Sequence, residues 1–310
     1  MLMLTLREQL HYRRHRIDYL GSALMMLATS TLMFAPVDAA KLRLDVLVGL
    51  IVAATILLAF FLLHKQWTPE PMLPLALWRN PIVASGNFVF LALGAVMMGS
   101  TAFLSLYVQG VMGRSVIVVG LALAAPSVSW PLGSLLGGRL MLRVSYRGAA
   151  LAGMLPFVVG SVMMRALDPM RGPLWAATGA AVIGIGMGFT NNTFHVAIQS
   201  TVDWGQRGIA TSTTLFSRII GQALGAAVFG GLLNANLPDA VAGGEILARA
   251  LDPNLRRSLP PAEVARLMQA LAHGLYHVYL ITGLLVLLVA AMALHLPVGL
   301  SPVRTARERH

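Results

Sequence analysis

The sequence has no cysteine and few charged residues of either sign. Its 310 residues include 0 Cys, and only 11% are Asp, Glu, Lys or Arg, whereas soluble domains carry about 25% charged residues. The lack of cysteine excludes disulfide scaffolds, cysteine-based zinc sites and thiol catalysis. The lack of charge excludes an ordinary soluble surface. A hydrophobic content of 57% excludes disorder, which requires low hydrophobicity and high charge.

Long apolar runs are what the sequence contains instead, with a mean hydropathy of +0.74. A membrane-spanning helix needs about 20 apolar residues. Eight such stretches, labelled spans a to h, lie between Asp18 and Asp38, Asp45 and His64, Arg79 and Arg114, Arg114 and Arg139, Arg147 and Arg165, Arg171 and Asp203, Arg207 and Asp239, and Arg266 and Arg304. The runs do not alternate as barrel strands do. The sequence therefore predicts an all-α integral membrane protein with eight transmembrane helices.

The basic residues predict the orientation of these spans. The net charge is +11, and most arginines near span ends fall on the side of the N-terminus. The positive-inside rule places that side in the cytoplasm, and an even number of spans places both termini there. The charge is then a topology signal, and nucleic-acid binding is not expected. Because Lys41 and Lys65 are the only lysines, we infer a GC-rich bacterial source and hence the bacterial cytoplasmic (inner) membrane.

The spans divide the chain into segments. We predict a cytoplasmic N-terminal segment 1–16, two transmembrane helices in 17–64, a cytoplasmic loop 65–81, a six-helix bundle 82–297 and a cytoplasmic tail 298–310. The bundle includes a long outer loop, 234–272. In that loop a serine, two prolines and a following acid are typical of a helix start. They predict either a short helix on the membrane surface or a solvated connector with a helical turn.

Pairs of glycines four residues apart recur within three spans. Small residues at this spacing let membrane helices approach each other closely. We interpret them as ordinary helix-packing residues: Gly133 and Gly137 in span d, Gly184 and Gly188 in span f, and Gly221 and Gly225 in span g.

Polar residues enter the membrane chiefly in the hairpin of spans f and g. Asn192 and Arg218 each lie 13 residues from Gly205 in the turn, so an antiparallel hairpin sets them at one depth. At 1.5 Å per residue this depth is about 15–20 Å, close to the midplane of a ~30 Å core. The polar residues are Asn191, Asn192, His195 and Gln199 in span f and Ser217, Arg218 and Gln222 in span g. By their spacing, those of span f share one helical face.

An arginine near the midplane costs at least ~2.5–3.5 kcal/mol, so Arg218 is expected to face a cavity or polar partners. Two interpretations stay open: a substrate or ion pathway, or a structural contact between helices. The same choice applies to His195. No Asp or Glu lies inside a span, so a proton relay would use His195 or a group outside these spans. No phosphate loop, nucleophile elbow or metal-binding motif is present, so neither an enzyme nor a metal site is predicted.

Four segments carry motifs in a consistent order: residues 13–21, 70–80, 106–115 and 208–225. In that order they resemble the seventh helix, the start of the ninth, the ninth-to-tenth hairpin and the thirteenth helix of one family. This family is the fourteen-helix drug/proton antiporter branch of the major facilitator superfamily, the EmrB/QacA type. The resemblance covers essentially the whole chain. It implies the C-terminal part only, helices seven to fourteen: two linker helices plus one six-helix bundle, with the substrate site between two halves.

The resemblance adds further site residues. It places Tyr107 and Gln109 among the substrate-pathway candidates. Residues 138–147 resemble a second copy of the family's cytoplasmic loop motif, with Leu142 where Asp is common and Ser145 where Gly is common. The motif residues kept here are Gly138, Arg139, Arg143 and Arg147. The family's first six helices, with their usual membrane carboxylate, have no counterpart in the sequence.

The function implied is efflux of multiple drugs or other amphiphilic small molecules by proton antiport and alternating access. The expected partners are membrane lipid and small hydrophobic or cationic substrates. The proton gradient, rather than a cofactor, is the expected energy source. The chain is expected to be inactive without a facing half, supplied by a separate N-terminal piece or a second copy. The alternative is a non-transporting membrane remnant or an assembly partner of another membrane subunit.

Overall fold

A computed structural model describes residues 18–37, 44–67, 75–236 and 260–296, and all of its regular structure is helical. One long helix corresponds to each predicted span. The predicted N-terminal segment and C-terminal tail, and most of the outer loop, lie outside the described residues. The long helices are α1 (Tyr19–Val37), α2 (Leu44–Trp67), α3 (Pro81–Leu106), α4 (Val116–Met141), α5 (Tyr146–Arg165), α6 (Gly172–Thr201), α7 (Arg207–Ala235) and α8 (Pro261–Ala293).

Six of these helices, α3 to α8 together with their adjoining short turns, are long and apolar enough to cross a membrane. They correspond to the six-helix bundle that the sequence predicts. The first two helices, of 19 and 24 residues, lie where the sequence predicts two linker helices. Their passage through the membrane stays a prediction, and with it the total of eight spans.

Short polar signals set where several helices begin. The side chain of Asn80 accepts a hydrogen bond of 2.9 Å from the backbone N–H of Ile82, and Pro81 occupies the first turn of α3. The hydroxyl of Ser145 accepts from the N–H of Gly148 at the start of α5. Such caps satisfy backbone donors that the first helical turn leaves without partners. Helices α3 and α5 therefore begin at residues that the sequence marks.

The start of α8 corrects one prediction. The sequence marks a helix start at Pro260–Pro261, and the structure does begin a helix there. This helix is not a separate surface element, because it continues without a break from Pro261 to Ala293. Leu267 and Leu271 are buried, so its first turns pack inside the protein rather than lie on a membrane surface. The predicted outer loop 234–272 is accordingly too long at its C-terminal end.

Three helix pairs make the most extensive contacts within the bundle, and in two of them the helices run parallel. Helix α4 packs along α6, and α3 packs along α7, while α5 packs against α6 from another side. Helix α3 is the most central, because 56% of its most apolar stretch is buried against 28% for α4. Aromatic side chains fill the core between these layers; those almost fully buried are Tyr146, Phe157, Phe194, Phe229 and Tyr279.

The first two helices form a hairpin beside the bundle. They pack against each other, and α1 also packs against α7. The Nε2 atom of His64 lies 3.1 Å from Oδ1 of Asp18, which ties the end of α2 to the start of α1. A cavity of about 270 Å³ separates this hairpin from α7, lined in part by Met25, Phe61 and Phe216.

Candidate functional site

Helices α6 and α7 form an open hairpin rather than a packed pair. A single 3-10 turn, Trp204–Gln206, joins them, as predicted around Gly205. Beyond this turn α6 packs mainly on α4 and α5, whereas α7 packs mainly on α3. Helix α3 contacts both α6 and α7, so it forms the floor between them. We call the space bounded by these three helices the α6–α7 groove.

Arg218 faces α6 across this groove. Its Nη1 donates a hydrogen bond of 3.5 Å to Oδ1 of Asn191. The prediction paired Arg218 in depth with Asn192, and the observed partner is the preceding residue. Asn192 instead donates from Nδ2 to the carbonyl oxygen of Ser134 in α4, at 3.0 Å. Consecutive helical residues point about 100° apart, so these two asparagines serve opposite sides of α6.

His195 and Gln199 extend the polar side of α6 toward the turn. The Nε2 atom of Gln199 lies 3.1 Å from Nε2 of His195 and 3.2 Å from the hydroxyl of Thr211 in α7. The structure thus brings together Asn191, His195 and Gln199 on one face, as their spacing predicts, but leaves Asn192 outside it. Thr211 is a site residue that the sequence reasoning missed.

The floor of the groove adds polar contacts from α3. The hydroxyl of Ser217 donates to Oδ1 of Asn87 at 3.1 Å, and both side chains are buried. The Nε2 atom of Gln222 donates to the sulfur of Met97 at 3.1 Å. Asn87 was also missed, although an amide within the otherwise apolar start of α3 was a usable signal. Ser217 and Gln222 therefore join α7 to α3, on either side of Arg218.

Tyr107 and Gln109 are not part of this cluster. They lie in a π-helical turn, Tyr107–Val111, that extends the far end of α3. Tyr107 is 3% exposed, and its ring meets that of Tyr279 with 6.4 Å between centroids. Gly94, which touches the backbone of Arg218, precedes Tyr107 by 13 residues, or about 20 Å along the helix.

The six glycines chosen from the sequence lie at the α4–α6 and α3–α7 contacts. In the α4–α6 contact, a Cβ added to Gly133 would overlap the carbonyl oxygen of Ile185, and one added to Gly188 would overlap that of Trp130. A Cβ on Gly137 would lie 3.1 Å from Cα of Phe189 in α6, and one on Gly184 would overlap the hydroxyl of Ser129 in α4. In the α3–α7 contact, Gly221 faces Leu91 and Gly225 faces Ala95. Glycine thus allows backbone to approach backbone at both contacts.

The loop motif lies at the end of the bundle that holds the α6–α7 turn. Gly138 and Arg139 belong to the last turn of α4, Arg143 is exposed in the connecting turn, and Arg147 is in the first turn of α5. A Cβ on Gly138 would lie 3.1 Å from Nδ2 of Asn192. The motif therefore adjoins the α4 side of α6 rather than the groove.

The side chains of the groove carry hydrogen-bonding groups and one positive charge. It combines the guanidinium of Arg218, the imidazole of His195, the amides of Asn191, Gln199, Asn87 and Gln222, and hydroxyls. Within the described residues, no group of three or more His, Asp or Glu side chains is placed to hold a metal ion. The groove can orient a ligand by hydrogen bonds and charge.

Comparisons with known proteins identify relatives of this chain. It is 25% identical over 322 residues to Multidrug resistance protein 3 of Bacillus subtilis, covering 97% of this chain and 62% of that protein. It is 28% identical over 273 residues to an uncharacterized MFS-type transporter of Mycobacterium tuberculosis, covering 85% and 40%. It is 28% identical over 214 residues to Multidrug transporter protein MdtP of Bacillus subtilis, covering 69% and 38%. No family model matches the chain.

A solved structure is also similar to the chain. It is a bacterial homolog of the human lysosomal transporter Spinster in an inward-facing, unoccupied conformation, with a TM-score of 0.46 and 16% identity. The likeness covers 88% of this chain and 64% of that one. The chain spans 38% to 62% of the length of the three relatives named above. Taken together, the relatives and the six apolar helices show a multi-pass membrane protein related to MFS-type transporters.

Proposed function

We propose that this chain forms one helical bundle of a drug/proton antiporter of the fourteen-helix branch, and that the α6–α7 groove is its side of the substrate pathway. The transported molecules are hydrophobic or amphiphilic, and export proceeds by alternating access in exchange for protons. The observation that carries the proposal is Arg218: it is the only charged residue in the interior of helices α3 to α7, and it faces a polar groove rather than an apolar contact.

The cost of that arginine supports a functional role. An arginine within the hydrocarbon region costs at least ~2.5–3.5 kcal/mol on insertion scales, and the hydrogen bond to Asn191 is long at 3.5 Å. A purely structural contact would be better made by a neutral side chain, as Ser217 and Asn87 show beside it. The names of the relatives, multidrug resistance and multidrug transporter proteins, agree with a substrate pathway.

A facing bundle and a proton site complete this proposal. Transporters of this kind bind substrate between two bundles that rock against each other, so a separate N-terminal half or a second copy would form the other wall. Helices α3 to α7 contain no Asp or Glu. The proton is therefore carried by His195 or by a carboxylate of the facing bundle, and the chain alone does not transport. The proton gradient supplies the energy without a cofactor.

Efflux from proteoliposomes tests the proposal. The chain is purified alone and together with the N-terminal half of Multidrug resistance protein 3, and dye efflux is followed after a pH gradient is imposed. We expect efflux only from the pair, its loss in Arg218→Leu, and partial rescue in Arg218→Lys, because lysine keeps the charge but not the planar donor fork. Normal efflux by both variants would contradict the role of Arg218.

The same preparation distinguishes transport from the alternative, in which the chain is a non-transporting assembly partner of another membrane subunit. Helix α4 presents an exposed apolar face, with Leu121, Val128 and Leu132 more than half exposed, which also suits an assembly partner of another membrane subunit. If the chain associates with the N-terminal half yet moves no dye while an intact relative does, a non-transporting assembly role is favoured.

The proposed location is the bacterial inner membrane, and the proposed orientation places both termini in the cytoplasm. Reporter fusions test it directly. Fusions after Arg147 and after His310 are expected to report the cytoplasm, and a fusion near Asp252 the outside. Readings reversed at Arg147 and Asp252 would overturn the orientation and leave the groove unaffected.

A further inference from the structure

The charge of Arg218 is not neutralised by any acidic side chain in the described part of the protein. The printed sequence has no Asp or Glu within helices α3 to α7. Within the described residues, Arg218 makes one hydrogen bond, to the neutral amide oxygen of Asn191, and its length of 3.5 Å is at the upper limit. A guanidinium has five N–H donors, so most of those on Arg218 are uncommitted. A half-buried cation in this state favours an anion beside it.

The polar neighbours of Arg218 also present donors to the groove. The Nε2 atom of Gln199 lies within hydrogen-bond distance of both His195 Nε2 and the Thr211 hydroxyl. Because an amide nitrogen can only donate, His195 accepts at Nε2 and holds its proton at Nδ1, a tautomer assigned here from the contacts. Asn191 uses its oxygen toward Arg218, which leaves its NH₂ group. Both hydrogens of Gln199 are thus engaged, and the donors that remain beside Arg218 are the Nδ1–H of His195 and the NH₂ group of Asn191.

Two acceptors on the floor of the groove are already engaged within the protein. The Oδ1 atom of Asn87 accepts from Ser217 within the α3–α7 contact, and the Met97 sulfur accepts from Gln222. The floor next to them is apolar, with the Phe90 ring edge-on to His195 at 6.1 Å between centroids. A bound molecule therefore meets positive charge and donors near Arg218, and the aromatic ring of Phe90 beside them.

We infer that the α6–α7 groove binds amphiphiles whose head group is an anion, such as a carboxylate or sulfonate, with an apolar body laid along α3. This inference rests on the proposed function, because it names the substrate class of the same groove. A planar carboxylate matches the guanidinium fork and forms charge-assisted bonds with it. A cation at the same place is repelled by Arg218, so the cationic substrates expected from the sequence are the class that this groove disfavours.

The experiment compares three probes that differ only in the head group. They are 11-(dansylamino)undecanoate, its neutral methyl ester, and a dansyl alkyl trimethylammonium of the same length. Binding to the full chain in nanodiscs of phosphatidylcholine, a lipid without net charge, is measured by fluorescence anisotropy. We expect the carboxylate to bind on the order of 10-fold more tightly than the ester and the trimethylammonium probe to bind least.

Two variants that each remove one positive charge provide the matched comparison. Arg218→Gln is expected to lower carboxylate affinity about 10-fold and to leave ester affinity within about twofold. Arg165→Gln is the control, because Arg165 lies at the far end of α5 and donates to the Tyr276 hydroxyl at 2.7 Å. The control is expected to change neither affinity. Arg218→Lys, which keeps the charge, is expected to retain a reduced preference for the carboxylate.

Three other results would each contradict the proposed binding of anionic amphiphiles. If Arg218→Gln and Arg165→Gln weaken carboxylate binding equally, the attraction is a general effect of net charge and the inference fails. If Arg218→Gln weakens all three probes alike, the groove is a binding site but its substrate class is not anionic. If the chain binds no probe, and the chain paired with an N-terminal half binds none either, the proposed function of the groove fails as well.

Discussion

The two sides of helix α6 differ in how they meet their neighbours. Toward α4, glycines on both helices allow backbone to touch backbone, and Gly188 lies against the carbonyl of Trp130. Toward α7, the same helix presents Asn191, His195 and Gln199 to an open groove. Asn191 and Asn192 are adjacent in sequence, yet one belongs to each side. In a membrane, small residues close one interface and polar residues keep another available for ligands.

The largest expected effect comes from disrupting the tight contact between α6 and α4. Gly188→Ala places a methyl group against the Trp130 carbonyl and 2.6 Å from the backbone nitrogen of Ser134. Neither backbone atom can move alone, so the helices must separate. We expect a loss of about 3 kcal/mol or more in stability, the upper part of the range for overpacking. The measurement is thermal unfolding of the purified protein in detergent.

Gly120→Ala is the control for that prediction. Gly120 lies in α4, and a Cβ added there meets no atom within 4 Å. Alanine at an open helical position is expected to be neutral or to stabilise by up to ~1 kcal/mol. Equal unfolding temperatures for the two variants would show that α4 and α6 are not in backbone contact.

A second substitution tests whether the α3–α7 contact supports the groove. Gly221→Ala would overlap the carbonyl oxygen of Leu91, while Gly230→Ala, on the same helix, meets nothing within 4 Å. We expect a loss of about 2 kcal/mol for the first and none for the second. Since Gly94 touches the backbone of Arg218, shifting α7 also displaces the arginine. Binding of the carboxylate probe should fall with stability in Gly221→Ala but stay unchanged in Gly230→Ala.

Most of the fold was predictable from the sequence because it depends on long apolar runs and glycine spacing. Each predicted span corresponds to one long helix, and all six chosen glycines lie at helix contacts. The first turns of α8 were misjudged because a helix with one apolar face fits a membrane surface as well as a protein core. Leu267 and Leu271 nevertheless bury one side of those turns. Only the positions of neighbouring helices reveal that burial.

The candidate site was predictable only in part. Spacing along one helix predicts that Asn191, His195 and Gln199 share a face, and the structure brings them together. It does not predict how α6 is rotated about its axis, which decides that Asn192 faces α4. The contributions of Asn87 and Thr211 depend on which helices become neighbours. Such contacts between distant segments follow from packing of the whole bundle, not from local periodicity.

Removing the charge of Arg218, which faces α6 across the groove, should change protein stability and carboxylate binding in opposite directions. In Arg218→Leu, the guanidinium leaves the groove, and leucine carries no insertion cost. We expect stability to rise by up to ~2.5 kcal/mol, the lower insertion value, because Arg218 is only partly buried. Carboxylate binding should be lost in the same variant. A fall in unfolding temperature would instead identify Arg218 as a structural residue that holds α6 and α7 together.

The smallest expected effects come from the two adjacent asparagines, and they sharpen the comparison most. Asn192→Ala removes the 3.0 Å hydrogen bond to the Ser134 carbonyl, so it should cost about 1 kcal/mol of stability and leave carboxylate binding unchanged. Asn191→Ala removes a 3.5 Å contact with Arg218, so it should hardly alter unfolding but weaken carboxylate binding a few-fold, by about 1 kcal/mol or less. The two variants have the same composition and differ by one position. The opposite pattern would mean that the two sides of α6 are exchanged.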